Sequence, residues 1–128
     1  EAEVGVYASP VVGRESVSDL VYSTATNGVK GATLYALNKQ SGAVAWSLPL
    51  ASPTLSSPVA VYNQAGDAWI LQAEGSGKLY LVNAKTGDVL TTMQLSGKVE
   101  ASPAVYRDVL VIATTGADES YIYGIKLE

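Results

Sequence analysis

An all-β fold made of four-stranded β-propeller blades is predicted by three observations. A set of landmarks recurs about every 45 residues, each recurrence contains four short strand-like segments, and no stretch shows helical apolar periodicity. The recurrence is plainest in "LYALNKQSGAVAW" at 34–46 and "LYLVNAKTGDVLT" at 79–91. Ser-Pro pairs stand at Ser9-Pro10, Ser57-Pro58 and Ser102-Pro103. Asp19, Asp67 and Asp108 each open an apolar run, and an apolar-Tyr-x-apolar stretch begins at Leu34, Leu79 and Ile122. Gly42 to Pro58 and Gly87 to Pro103 both span 16 residues, whereas proline to aspartate spans 9, 9 and then 5. Constant spacing in some segments and variation in others is what one unit used three times produces.

Each unit opens on its Ser-Pro pair. "SPVV", "SPVAV" and "SPAV" are expected to begin the first strand, where a proline's missing N–H removes no ladder bond. "DLVYSTAT", "DAWILQAE" and "DVLVIATT" supply the second strand, being rich in β-branched, aromatic and aliphatic residues with aspartate at the preceding turn. "TLYALN", "KLYLVN" and "YIYGIK" form the third, after "NGVKG", "GSG" and "GADES", whose Gly, Asn and Asp suit hairpin turns. "AVAWSLPL" and "DVLTTMQL" form the fourth, and the third unit stops before one appears. The expected organisation is one segment over 1–128, with blade 1 at about 8–50, blade 2 at about 56–95 and a partial blade 3 at about 101–128, or about 2.75 blades. In the register of the prolines Glu1 corresponds to Pro49 and Gln94, so the N-terminus is expected to add at most a stub of a fourth strand.

Ala36, Asn38, Ser41, Gly42 and Trp46 stand as A-x-N-x-x-S-G-x-x-x-W, which resembles the tryptophan-docking motif of pyrroloquinoline-quinone-type (PQQ-like) propeller repeats, written A-x-D-x-x-T-G-x-x-x-W. The second copy keeps Asn83, Thr86 and Gly87 but has Leu81 and Thr91 at the alanine and tryptophan positions. The glycine is expected at a turn needing positive φ. The tryptophan offers a large apolar plane and one N–H, suited to lying between blades and capping a carbonyl. The resemblance implies an extracytoplasmic protein: periplasmic, secreted or at the cell surface. Its members include quinoprotein dehydrogenases and non-catalytic assembly lipoproteins, so it specifies the fold more closely than the activity.

Composition removes several chemistries. The chain has no Cys and no His, which excludes Ser-His-Asp, Cys-His and Cys-ligated zinc mechanisms. Eight basic and twelve acidic residues, scattered to a net charge of −4, form no cationic face for nucleic acid. The longest apolar run, Val109 to Ala113, is far below the length of a membrane span. By resemblance, a quinoprotein dehydrogenase would hold quinone and calcium near the axis with a carboxylate base and often adjacent cysteines. No such set is identified, so no catalytic, cofactor-binding or metal residue is assigned.

Other candidates read as structural. "EGSGK" at 74–78 lacks phosphate-loop spacing and leads into a strand. Asp118 and Glu119 lack the alternating acidic series of a calcium loop. Asp19, Asp67 and Asp108 recur as turn residues; Trp69 is expected to pack in a strand; Tyr35, Tyr80 and Tyr123 recur as core or interblade residues. Arg14, Glu15 and Lys30 are the exposed groups singled out for a protein contact. Two open blade faces would expose apolar surface and need covering, by the remaining blades of a larger propeller, by a protein partner or by self-association. The expected function is a non-catalytic scaffold or binding module for protein or glycan, with a fragment of a PQQ-dependent dehydrogenase as the alternative.

Overall fold

The computed structural model describes residues 4–127. Their regular structure is β-strand throughout, apart from one 3-10 turn at Glu15–Val17. The first sheet contains β1 (Val4–Gly5), β2 (Val11–Val12), β3 (Leu20–Asn27), β4 (Ala32–Asn38) and β5 (Val44–Leu50). The second contains β6 (Val59–Tyr62), β7 (Ala68–Ala73), β8 (Lys78–Asn83) and β9 (Val89–Gln94); the third contains β10 (Ala104–Tyr106), β11 (Val109–Thr115) and β12 (Ser120–Lys126). All pairings are antiparallel and, apart from β1 on β3, join chain neighbours, the meander of propeller blades. β2, β6 and β10 each start one residue after a Ser-Pro proline, and β3, β7 and β11 start one residue after Asp19, Asp67 and Asp108.

Glu1 lies outside the described residues. Val4 and Gly5 pair with Asn27 and Thr26 of β3, on the edge that β2 also uses, so this segment extends the first strand and not a fourth.

Cross-strand pairs set the equivalences between sheets. Leu20 faces Asn38, Trp69 faces Asn83 and Val109 faces Lys126. From there Tyr22, Leu71 and Val111 occupy one position, and Leu34, Leu79 and Ile122 another. Because strand side chains alternate, each sheet has a forward and a backward face. The forward face of the first sheet (Leu20, Tyr22, Leu34, Ala36) packs on the backward face of the second (Ala68, Ile70, Tyr80, Val82). The forward face of the second (Leu71, Ala73, Leu79) packs on Leu110 and Ile112 of the third. Each fully buried aliphatic side chain contributes about 1.5–3 kcal/mol, so the two junctions between sheets are where stability accumulates. The forward face of the third sheet has no such cover: Val111 is 45% and Ile122 79% exposed, where Tyr22 and Leu34 are fully buried.

Each complete sheet has a register shift at the same place, between Ala36 and Leu37 and between Leu81 and Val82. Leu37 pairs with Val44 but Ala36 with Trp46, leaving Ala45 as the extra residue of a bulge. Without it, Trp46 would face the opposite side of the sheet.

Thr114, 2% exposed in the second junction, has a side-chain hydroxyl with no hydrogen-bond partner among the described residues. Burying an unpaired hydroxyl costs about 1–3 kcal/mol, and valine matches its shape. Thr114→Val is therefore expected to stabilise the chain by about 1 kcal/mol, read as a higher urea midpoint at unchanged slope.

Candidate functional site

The strongest constellation is the first junction. The Trp46 indole N–H donates to the Ala84 carbonyl at 3.0 Å, and the buried Tyr22 hydroxyl donates to the same carbonyl at 2.7 Å. The two rings lie 5.8 Å apart at 46°, a tilted aromatic pair. Ala36, directly opposite Trp46 and fully buried, is small enough to leave the indole its place. The Ala84 carbonyl is held out by the turn around it: Ala84 N donates to Ala68 O, and Asn83 Oδ1 accepts from Lys85 N and Thr86 N. Gly87 closes that turn at φ 83°, and a Cβ built there would meet the Trp46 ring at 2.7 Å.

The matching turn of the first sheet is built alike. Asn38 Oδ1 accepts from Gln40 N, Ser41 N and Ser41 Oγ, while Gly42 donates to Asn38 O at φ 72°. Around Gly42, however, nothing lies within 4 Å of a built Cβ. In the second sheet Leu81 and Thr91 replace Ala36 and Trp46, and the groove there is an apolar depression of about 80 Å³, lined by Leu79, Leu81, Thr91 and Leu127 among others.

A second set of contacts, missed by the sequence reading, runs along the first strands. Ser9 N donates to Ser57 Oγ and Ser57 N to Ser102 Oγ, both at 2.8 Å. Beneath them Thr24 Oγ1 donates to Gln72 Oε1, and Gln72 Nε2 donates to the Ser56 and Ala73 carbonyls. Glu74, 1% exposed, has its carboxylate filled by Ala51 N, Ser52 N, Ser76 Oγ and Tyr80 OH, so it ties the link between the first two sheets to the second hairpin. The recurrent serines were visible as a repeat; the lone Gln72 and Glu74 carried no signal, because neither recurs.

The remaining candidates scatter. Asp67 stabilises its own turn with Asn63, whereas the Asp19 and Asp108 carbonyls accept from Lys39 N and Leu127 N just past the ends of β4 and β12, with Asp108 also 4.0 Å from Lys126 Nζ. Tyr80 is buried in the first junction, Tyr123 is half-buried beside the second, and Tyr35 is half-buried on the first sheet's backward face. Trp69 is half-buried and lines a depression of about 250 Å³ with Ser16, Asp67 and Lys85. Arg14 and Glu15 are engaged within the chain. The Arg14 amide donates to Tyr62 OH, its guanidinium lies 4.8 Å from the Tyr62 ring centroid, and Glu15 sits against Gly66. Lys30 is exposed in the β3–β4 turn. Asp118 and Glu119 are exposed beside β12, where the Tyr121 hydroxyl donates to Glu119.

Among the described residues no three Asp or Glu side chains converge as a metal would need, and the buried carboxylate already has four donors. The described residues thus offer no carboxylate set to hold the calcium of a quinone-and-calcium centre. No helix is long and apolar enough to cross a membrane. A hollow of about 590 Å³, open to solvent, is lined by Ser52, Pro53, Ser76, Gln94 and Lys98 among others.

The Trp46 ring makes the two turn glycines unequal. Gly42→Ala is expected to cost about 1 kcal/mol, from its positive φ alone. Gly87→Ala adds about 1–3 kcal/mol of overpacking against Trp46, and that excess should vanish in a Trp46→Ala background, as a double-mutant cycle by urea denaturation would show. Burial pushes the Tyr22 phenol up, with Tyr62 and Asp19 adding to it, and burial followed by Glu74 pushes Tyr80 up. A raised folded-state value keeps these phenols protonated where the unfolded chain ionises. Stability is then level below about pH 10 and falls above it. Tyrosinate absorbance of two groups should appear together with unfolding.

The family model described as outer membrane protein assembly factor BamB matches residues 30–125, three quarters of the chain. A β-alanine-activating enzyme of Mus musculus is 29% identical over 96 residues, which is 73% of this chain and 8% of that protein. BamB from Moraxella catarrhalis superposes with a TM-score of 0.59 at 18% identity, over 85% of this chain and 31% of that one. Quinohemoprotein alcohol dehydrogenase from Comamonas testosteroni superposes with a TM-score of 0.66 at 21% identity, over 99% and 21%. The chain thus spans less than a third of each of these proteins, and at these identities the likeness to the two structures shows the fold alone. Three radial antiparallel sheets and the match to that model lead to one conclusion: the chain belongs to the PQQ-like β-propeller family described as outer membrane protein assembly factor BamB.

Proposed function

We propose that the chain is a non-catalytic propeller module, a scaffold and binding surface within a larger extracytoplasmic protein. The observation that carries this reading is how the polar residues are used. Glu74, Gln72, the Ser-Pro serines and the two Asn-centred turns spend their hydrogen bonds on holding sheets and turns together. Within it, Ala36, Asn38, Ser41, Gly42, Trp46, Asn83, Thr86 and Gly87 form the structural docking motif, with the second turn receiving the tryptophan of the first sheet. The open hollow sets Ser52, Ser76, Gln94 and Lys98 around a more apolar floor with Pro53 and Leu95, a mixed surface suited to a protein loop or a glycan.

The test is a titration with pyrroloquinoline quinone and calcium, followed by absorbance and melting temperature. Neither signal is expected to move. Saturable binding with a raised melting temperature would replace this reading with that of a dehydrogenase fragment.

A further inference from the structure

We propose that the depression between the loop at 13–19 of the first sheet and the Asn83 turn of the second is a subsite for one pyranose ring of a neutral glycan. This rests on the scaffold-and-binding reading above and names a ligand for it, at the opposite end of the second sheet from the hollow beside Ser52.

Both walls come from sheets that carry all four strands, the first and the second. One wall is built by the loop that leads into β3. Glu15 there has a φ of 50°, a left-handed conformation that a non-glycine residue holds only where its surroundings impose it. Here they do: Val17 is fully buried in the first junction, Arg14 N donates to Tyr62 OH at 2.8 Å, and Ser16 N donates to Gly66 O at 3.4 Å. Ser16 is thereby brought to line the depression with Asp67, Trp69, Asn83 and Lys85 of the second sheet. The third unit spans only 5 residues from proline to aspartate where the first spans 9, so this wall is not a feature of every repeat.

Polar groups are used differently here than in the junctions. Ser16 Oγ, the Trp69 indole N–H, Asn83 Nδ2, Lys85 Nζ and Asp67 Oδ1 have no hydrogen-bond partner among the described residues. Of its carboxylate Asp67 commits only Oδ2, to Asn63, and of its amide Asn83 commits only Oδ1, to the Lys85 and Thr86 N–H groups. Two of the five residues also depart from the repeat. Trp69 stands where the other sheets have Leu20 and Val109, and Lys85 where the first turn has Gln40. The blade demands neither of them.

Charge and size select the ligand. One ammonium and one carboxylate line the depression, so neither an anion nor a cation is favoured. Its volume of about 250 Å³ suits a single ring and lies below the roughly 300 Å³ at which sites for larger ligands begin. A sugar hydroxyl both donates and accepts. Adjacent hydroxyls can therefore meet Asp67 Oδ1 as acceptor and Lys85, Asn83 and Ser16 as donors, while the C–H face of the ring meets the indole.

NMR on the isotope-labelled 128-residue chain, titrated separately with maltotriose, cellotriose and tri-N-acetylchitotriose, tests this. The two indole N–H signals report on different places, since that of Trp46 is bonded to Ala84 O and that of Trp69 is unbonded. At least one sugar is expected to shift the Trp69 signal saturably, with a Kd of about 1 mM, and to leave the Trp46 signal in place. Lys85→Ala should weaken that binding about tenfold and Ser16→Ala about threefold. Neither side chain has a partner in the chain, so the melting temperature of the free protein should not move. No shift of the Trp69 signal by any of the three sugars up to about 50 mM, a shift that both variants leave intact, or saturation by the zwitterion alanine in place of a sugar would each overturn the proposal. A failed sugar titration leaves the scaffold reading standing, and quinone binding would overturn that reading without altering the sugar result, so the two fail separately.

Discussion

The Ala84 carbonyl takes two hydrogen bonds from the neighbouring sheet, one from an indole and one from a phenol, and the geometry of the first junction is organised around it. A sheet with apolar side chains on both faces has no stable existence alone. It needs neighbours, and the neighbours need a reason to sit in one register. Two directional bonds onto one carbonyl supply it, because sliding or rotating the sheet would strand a buried phenol and an indole N–H without an acceptor. The bulge at Ala45 and the smallness of Ala36 bring Trp46 to that carbonyl; the open turn at Gly87 gives it room.

The second junction meets the same need by other means. Leucine stands at the position of Tyr22 and again at that of Ala36, and threonine at that of Trp46, so aliphatic contact replaces the polar clamp. Aliphatic packing is less directional, and what it lacks in register the serine chain and the Ser56 hydroxyl on the Ala101 carbonyl restore. The arc thus uses two kinds of glue over one repeated scaffold. Propeller blades tolerate such exchange because each junction is a local contract between two faces, largely independent of the next.

The polar interior has a common logic. Gln72 in β7, and Glu74 just past its end, sit where an apolar side chain would be buried equally well, yet the polar groups of both are hydrogen-bonded. Glu74 holds the incoming link of its own sheet, and Gln72 spans from Thr24 in the first sheet to the carbonyl of Ser56 in β6's approach. Held by four donors, the carboxylate is committed to joining that link to the second hairpin.

Periodicity made the strands, their order and the Ser-Pro openings legible in the sequence, because a repeated backbone conformation demands the same Pro, Gly and alternating apolar residues each time. It also marked Asn38, Gly42, Asn83 and Gly87 as turn residues, since Asx turns and positive φ are local requirements. What it left undecided depends on residues far apart in the chain. Arg14 reads as an exposed group and is exposed, yet its guanidinium lies against the Tyr62 ring; Glu74 reads only as the head of a turn sequence and Gln72 only as part of a strand, and both are buried anchors. Periodic pattern records what each residue does to its own strand. Which carbonyl receives Trp46, which hydroxyl receives Ser9 and which faces stay open are set only when one sheet is laid against another, because those contacts join positions 38 to 62 residues apart that no local rule connects.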